Sequence, residues 1–345
     1  MRRRAGEVCL GQNAVRKGVA AFLILAVGLT GLFLYGKKPG RGTSAATGAH
    51  DQHEDEHTGK LKIGKQKYTY DDTIKAYLVI GTDDSGNEEE KGDDYVGSMA
   101  DYLAVIIMDK TKETCGVVEI NRNTITDVNI IDRYGDGEAL AVAQICIAHA
   151  YGGSKWMSCQ NTVRAVSRVL GKLPIDGYYA VGMSDIPKVN HAVGGVEVTI
   201  RDDFSQTDPS LVMGKTIHLS DEQAFHYLHD RMNVGGGDNI ARMERQETYL
   251  KAVLEKASGD DGAYAMAIWD ALEDDAVTDM SDRDISALQN AYSAYRNEGF
   301  FSLEGDTIEA DTFHNGRLHE EFYPDEECLA DTLTDLCNLS PVVKE

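Results

Sequence analysis

Residues 226–246, HYLHDRMNVGGGDNIARMERQ, bring together side chains of the kind that bind oxyanions. The pattern predicts a helix ending near Arg231, a turn through Gly235, Gly236 and Gly237, and a new helix after Asp238. In that helix Arg242, Arg245 and Gln246 fall at i, i+3 and i+4, on one face of its first turns. Arg231 precedes the turn and can fold back toward that face. Forked guanidinium donors, unpaired N–H groups at a helix start and a favourable dipole together suit a phosphate-like group. The competing reading pairs Arg242 and Arg245 with Glu244 or Glu247 on a solvated helix face, a common and weak arrangement.

A second constellation comes from three strand-like runs, 76–81 (AYLVIG), 103–109 (LAVIIMD) and 115–121 (CGVVEIN). The short polar turn at 110–113 calls for an antiparallel hairpin between the second and third. If the first also pairs antiparallel with the second, Asp83, Asp101 and Arg122 meet at one sheet edge, where loops deliver chemistry. Two carboxylates beside an arginine suggest a hard cation such as Mg²⁺ next to a phosphate. Residues 83–94 hold seven Asp or Glu, so Asp83 also reads as one acid of a solvated loop. Asp101 is better isolated, between Ala100 and an apolar strand.

The remaining elements must position these groups. Apolar periodicity predicts a helix over 138–150 carrying Cys146, and a second beginning at Cys159 after the Tyr151-Gly152-Gly153 turn. Such a hairpin would let Cys146 and Cys159 form a disulfide; the alternative is buried free thiols. Further on, a strand at 177–182, a short helix with Pro187 and a strand at 196–200 are expected. Residues 220–223 form a capping box that opens the helix carrying His226, His229 and Arg231. Helical patterns follow at 261–273, 281–297 and 325–338, with a strand-like stretch at 307–313. The alternation predicts one α/β domain with a central mixed sheet and helices on both faces.

Acidic residues outnumber basic ones 57 to 34, for a net charge of −23. Eight basic residues and one acid lie before position 42, so the remainder carries 26 basic against 56 acidic residues, a balance of −30. A body of that charge repels nucleic acid, and an anionic ligand must enter through a local basic pocket. Residues 18–36 are an uncharged run of nineteen, close to the ~20 residues that span a bilayer. Five basic residues precede this run and three follow it, which favours a cytoplasmic N-terminus. The expectation is a single-pass cell-membrane protein: tail 1–17, signal anchor 18–36, extracellular linker 37–66 and extracellular domain 67–345.

In order and spacing, LVIGTDDSG (78–86), SMADYLAVIIMDK (98–110), VVEINRNT (117–124), HAYGG (149–153), LPIDGYYAV (173–181), VNHAVGGVEV (189–198) and RMERQ (242–246) resemble the extracellular domain of the LytR–CpsA–Psr family. The resemblance covers a motif core over 75–256, with a helical tail over 257–345. It implies Mg²⁺-assisted transfer of an anionic glycopolymer, such as a teichoic acid or capsular polysaccharide, from a polyprenyl-pyrophosphate carrier to peptidoglycan. By position, Asp83 and Asp101 match the metal-associated aspartates and Arg122 the arginine of the third-strand motif. His229, Arg231, Arg242, Arg245 and Gln246 match the pyrophosphate-binding region, and Arg122, Asp101 and Arg231 are the residues expected to act in catalysis. The family's apolar tunnel for the prenyl chain would be lined by residues such as Val105, Ile107, Val142 and Ile145.

The chain departs from that pattern at four places. Asn123 stands where aspartate is usual, Met99-Ala100 precede Asp101 in place of arginine-serine, His229 replaces an arginine, and Arg242 lies one residue late. A histidine with a reference pKa of about 6.5 would make phosphate affinity rise on mild acidification. Two other activities would use the same charges: hydrolysis of the lipid pyrophosphate, and non-catalytic binding of a wall polymer or polyprenyl lipid.

Overall fold

The computed structural model describes residues 59–83, 97–131, 138–258 and 263–343, apart from 282, 285–286, 289–290, 292–293 and 315. The apolar run at 18–36 lies outside these; among the described residues no helix is long and apolar enough to cross a membrane. The first strands, β1 (Lys60–Ile63) and β2 (Gln66–Thr69), pair with each other, so the fold begins inside the stretch read as linker. Leu61 and Ile63 are buried in the main core, which is why this hairpin is held against the domain.

β3 (Ile74–Thr82), β4 (Ala100–Asp109) and β5 (Thr114–Glu119) form an antiparallel meander, as the sequence predicts. β4 is buried along nearly its whole length, and its near-continuous apolar run fits a strand covered on both faces. Alternate side chains enter different layers. Leu103, Val105 and Ile107 pack in one cluster, and Ala104, Ile106 and Met108 in the opposite one. The ladder slips once. Gly81 faces Tyr102 but Thr82 faces Ala100, which leaves Asp101 as the extra residue of a β-bulge. A bulge bends its strand and re-aims a side chain. Gly81 permits the close approach, since a Cβ there would lie 2.8 Å from that of Tyr102.

Beyond Arg122 the structure corrects the expected helix at 138–150. β6 (Ile125–Ile131) and β7 (Glu138–Gln144) form an antiparallel pair, and only Ile145–Ala148 is helical, as a 3₁₀ turn. Pairing along all seven residues of β7 satisfies its backbone against β6, which overrides the helix preference of an alanine-rich segment. Val128 and Ala143 enter the core, whereas Leu140 and Val142 are exposed. α1 (Lys155–Val169) then starts from Ser154, whose side chain accepts the Met157 N–H. Without the helical hairpin the reason for a Cys146–Cys159 disulfide disappears, and all five described cysteines are buried free thiols. Cys159 Sγ instead lies 3.7 Å from His149 Nε2, and Cys146 lies against Arg122.

β8 (Gly177–Gly182) pairs parallel with β3. α2 (Ile186–Ala192), the hairpin of β9 (Glu197–Thr199) and β10 (Thr216–His218), α3 (Asp221–His229), α4 (Asn239–Ser258) and α5 (Ala263–Leu272) follow. Their apolar side chains make a second core, with Phe204, Tyr227 and Tyr249 at its centre. The segment after 257 is not simply helical. β11 (Val277–Thr278) pairs with β8, and β12 (Arg296–Ser302) joins the far sheet edge parallel to β5. The described residues at 283–294 are helical, and 307–313 falls largely in the strand β13 (Gly305–Ala310). β13 pairs with β14 (His319–Pro324), and α6 (Glu326–Cys337) and β15 (Ser340–Pro341) close the described chain. The central sheet is therefore mixed, in the order β11-β8-β3-β4-β5-β12. α1 and α6 pack on one face, and Leu250 of α4 with Ala287, Leu288 and Ala291 on the other.

Free thiols make a direct prediction. In denatured, unreduced protein both Cys146 and Cys159 should react with a thiol reagent, and protection of the pair on mass analysis would show them bridged.

Candidate active site

Asp101 is the centre of the site because two arginines converge on it. Arg242 Nη1 donates to Asp101 Oδ2 at 2.8 Å, and Arg122 Nε lies 2.8 Å from Oδ1. All three side chains are largely buried. The Arg122 contact is an ion pair without hydrogen-bond direction: Asp101 Oδ1, Arg122 Nε and Arg242 Nε are buried atoms with no hydrogen-bond partner. Removed from water, such charges need one another, and a lone one would be costly. The second branch of Arg242, Nη2, donates to Asn239 Oδ1 at 2.7 Å, and Asn239 Nδ2 donates to Asn121 Oδ1 at 2.9 Å. Asn121 and Asn239 thus fix the Arg242 fork, and the sequence reading passed over both. Their positions, next to Arg122 and three residues before Arg242, were the available signal.

The glycine turn forms as expected, with positive φ at Gly235 (52°) and Gly237 (73°). Asp238 Oδ1 accepts the Ala241 N–H at 2.8 Å and starts α4. Arg231, before the turn, stands near enough that its charge and that of Arg122 act against ionised Arg242. Arg231 Nη1 lies 3.5 Å from Glu320 Oε2, which also accepts from Asn123 Nδ2 at 3.1 Å. Gln144 Nε2 donates to Asn123 Oδ1 and to the Glu320 carbonyl. The β13–β14 hairpin therefore docks on the loop after β5, with the Phe322 N–H on Asn123 O at 2.9 Å, and brings a carboxylate the sequence reading did not foresee. Arg122 Nη2 donates to Met99 Sδ at 3.1 Å. A thioether is a weak acceptor, so this branch of the fork keeps most of its capacity for an oxyanion.

His229 corrects its own expectation. Nδ1 lies 3.2 Å from Asp230 Oδ1, Nε2 lies 3.3 Å from Asp83 Oδ1, and the ring stacks on Phe225. Hydrogen bonds to Asp230 and then Asp83 raise its pKa from 6.5 to about 9. It is an imidazolium at neutral pH and carries the charge an arginine would carry. The same contact, with Arg122 and Arg242 beyond it, holds the Asp83 carboxyl below its ordinary range.

Arg245 and Gln246 share the buried face of α4 with Arg242, but they do not face the anion site in the same way. Arg245 donates from Nε to Tyr227 O at 2.8 Å, from Nη1 to Asp202 Oδ2 at 2.5 Å, and from Nη2 to Asp230 O. Its guanidinium lies over Phe204, and every branch is committed, two to the carbonyls at the end of α3 and one to Asp202. Its role is structural, which corrects the expectation of a phosphate ligand. Gln246 donates to Leu228 O at 3.3 Å and lines an apolar cavity of about 90 Å³. Val79, Tyr102, Tyr179, Val181, Leu228 and Tyr249 are among the residues of its wall. Tyr102 follows Asp101, Leu228 precedes His229 and Gln246 lies one turn from Arg242, so the same elements carry the cavity wall and the charged cluster. It lies on the sheet face of Ala104 and Ile106. Val105, Ile107 and Ile145, expected to line it, are buried in the opposite core, and Val142 is exposed.

Residues 39–318 match the sequence model of the LytR_cpsA_psr family. A Bacillus cereus protein named polyisoprenyl-teichoic acid–peptidoglycan teichoic acid transferase TagU is 27% identical over 201 residues, 58% of this chain and 56% of its own. An Enterococcus faecalis protein of the same name is 27% identical over 246 residues, covering 71% of this chain and 74% of its own. The chain thus spans little more than half the length of the first of these relatives. Among solved structures, Bacillus subtilis TagV superposes with a TM-score of 0.56 at 23% identity, covering 79% of this chain and all of its own. TagT bound to LI-WTA gives 0.54 at 19% identity, covering 81% and 96%. A Streptococcus agalactiae protein gives 0.61 at 17% identity, covering 79% and 91%. At these identities the structures share the fold.

The raised pKa of His229 has a sign that can be tested. Between 6.5 and about 9 the folded state binds more protons than the unfolded state, so this stabilisation is complete below 6.5 and is lost as pH rises through about 9. Urea unfolding of the metal-free protein from pH 6 to 10 should show wild type losing stability relative to His229→Arg, whose charge persists. Parallel profiles would mean that Asp230 and Asp83 do not hold the proton.

Proposed function

Because the chain belongs to the LytR_cpsA_psr family, we propose that it transfers an anionic glycopolymer from a polyprenyl-pyrophosphate carrier to peptidoglycan, releasing polyprenyl phosphate. One observation carries this reading: Arg122 and Arg242 converge on Asp101, with His229 on Asp83 and Arg231 on Glu320 nearby, and the strand and helices that carry them also wall an apolar cavity through Tyr102, Leu228 and Gln246. A ligand complementary to both parts is an amphiphile with a diphosphate head and a hydrocarbon tail. Arg122 and Arg231 offer the head the donors least occupied by protein. Arg242, held by Asp101 and Asn239, contributes a fixed charge that need not reorganise as negative charge shifts to the departing phosphate. The apolar wall receives the first part of the prenyl chain and excludes water from the phosphates, which favours attack by a sugar hydroxyl of peptidoglycan over hydrolysis.

Four cations, Arg122, Arg231, Arg242 and His229, stand against four carboxylates, Asp83, Asp101, Asp230 and Glu320. The cluster is therefore close to neutral, and a doubly or triply charged diphosphate calls for more positive charge. A divalent cation such as Mg²⁺ would meet that need; the residues that would hold it are Asp83 and Asp101, whose Oδ1 faces Arg122 without receiving a hydrogen bond. Bound there, it would neutralise phosphate oxygens and polarise the phosphorus centre. We place the domain on the outer face of the cell membrane, anchored by residues 18–36. Protease added to intact protoplasts should then degrade the body and spare a short N-terminal fragment; a protected full-length chain would contradict this.

The functional test is an alanine series scored for binding and turnover of a prenyl-pyrophosphate-linked oligosaccharide with peptidoglycan oligomers as acceptor. Charge-assisted hydrogen bonds are worth about 1.5–3 kcal/mol each, so Arg122→Ala or Arg231→Ala should lose roughly ten- to a hundredfold. Arg242→Ala and Asp101→Ala should lose turnover and also stability, since each breaks the buried triad of Asp101, Arg122 and Arg242. Arg245→Ala should cost about 3–5 kcal/mol of stability through Asp202 and the end of α3. Arg296→Ala, an exposed residue paired with Glu298, is the neutral control. Wild-type activity in all the site variants would defeat the transferase reading.

A further inference from the structure

The proposed transfer needs a group to take the proton of the attacking hydroxyl, and that reading assigns none. The carboxylates at the site differ in how far they are neutralised. Asp101 lies between Arg122 and Arg242, one on each oxygen. Asp83 and Asp230 are both held by the imidazolium of His229. Glu320 is different. Its cationic contact is Arg231 at 3.5 Å, longer than a hydrogen bond, and its other partner is the neutral amide of Asn123 at 3.1 Å. Its side chain is 25% exposed, against 6% for Asp101, so it stands at the rim where an acceptor sugar arrives from solvent.

The backbone holds it there. The β13–β14 hairpin is tied to the loop after β5 by the Phe322 N–H on Asn123 O, and Gln144 donates to the Glu320 carbonyl at 2.7 Å. Asn121 Oδ1 accepts the Asn123 N–H at 2.9 Å and also anchors Asn239, the partner of Arg242. One short network thus fixes Glu320 relative to the arginines. A base set within reach of an anion-binding arginine has its hydroxyl beside the phosphorus that the arginine holds.

We infer that Glu320 is the proton acceptor of the reaction, an inference that rests on the transferase reading above. As the acceptor oxygen bonds to phosphorus, its proton passes to the Glu320 carboxylate. The bridging P–O bond breaks, and its electron pair leaves with polyprenyl phosphate. Glu320 then returns the proton to solvent. Asn123 contributes by orienting the carboxylate through its amide.

The test uses the full chain in detergent, a short-prenyl pyrophosphate-linked disaccharide as donor and soluble peptidoglycan oligomers as acceptor. Glu320→Gln keeps size and a hydrogen-bond acceptor for Asn123, so the unfolding temperature should stay near wild type and donor affinity should not fall. Its kcat should fall on the order of 10²–10⁴-fold, the usual contribution of general acid–base catalysis. Restoring a carboxylate within the same contact, in the double variant Asn123→Asp/Glu320→Gln, should recover at least about tenfold of the single variant's loss. If Glu320→Gln turns over like wild type, or binds donor more tightly and runs faster, the carboxylate is only a counter-ion that competes with the donor for Arg231, and the assignment falls. A loss that Asn123→Asp does not relieve would assign Glu320 to holding Arg231 and would overturn it too. In both cases the transferase reading survives. A wild type that binds donor but transfers it to no acceptor would remove that reading and this one together.

Discussion

The site depends on one buried charge contact, Asp101 between Arg122 and Arg242. Two guanidinium groups this enclosed repel each other, and a carboxylate between them turns that repulsion into a fixed triad. The three residues come from the start of one strand, the end of the next and the first turn of a helix well over a hundred residues later. Their meeting is therefore also a tertiary constraint, because α4 can seat only where Asp101 receives Arg242. The bulge makes this possible. Without the slip between Gly81 and Thr82, position 101 would continue the regular alternation of β4 instead of standing outside the ladder.

The same strand divides the molecule chemically. Tyr102 turns to the cavity face, while Leu103 turns to the core beneath α1 and α6. Within three consecutive residues β4 thus supplies a buried anion, a cavity wall and core packing. This is why a charged cluster and an apolar cavity can adjoin without a loop between them. Residues paired with the fold also limit what remains for a ligand. Arg245 stabilises the junction of α3 and α4, so the available donors narrow to Arg122 and Arg231, with Arg242 as a fixed background charge.

Much of this was legible in the sequence, for identifiable reasons. The meander of β3, β4 and β5 announces itself through apolar runs joined by a polar turn, and strand order then places Asp83, Asp101 and Arg122 at one edge. The capping box before α3 and the glycine turn before α4 are local signals, and both held. What was not legible depends on contacts distant in sequence. Residues 138–144 carry an alanine-rich pattern that suits a helix, and only pairing with β6 makes them a strand. The Cys146–Cys159 disulfide fell with that helix. Helix periodicity placed Arg242, Arg245 and Gln246 on one face correctly, but periodicity does not say that Tyr227 O and Asp202 wait for Arg245. Glu320, nearly two hundred residues from Asn123, gave no signal at all.

Departures from a family pattern mean less residue by residue than they do in space. His229 reads as a weakened arginine when taken alone. Between Asp230 and Asp83 it keeps its proton to about 9, so the cationic position is conserved by its neighbours and not by its own chemistry. Asn123 reads as a missing carboxylate, yet its amide holds the carboxylate of Glu320 at 3.1 Å. Met99 gives up a charge at the rim, and its weakly accepting sulfur leaves Arg122 Nη2 more available than a carboxylate neighbour would. At His229 and Asn123 a neighbouring element thus supplies the charge or the carboxylate that the residue itself lacks. A site under that kind of constraint tolerates exchange of residue types as long as the sum of charges around Asp101 is kept. Divergence in the motifs is therefore compatible with an intact buried triad of Asp101, Arg122 and Arg242.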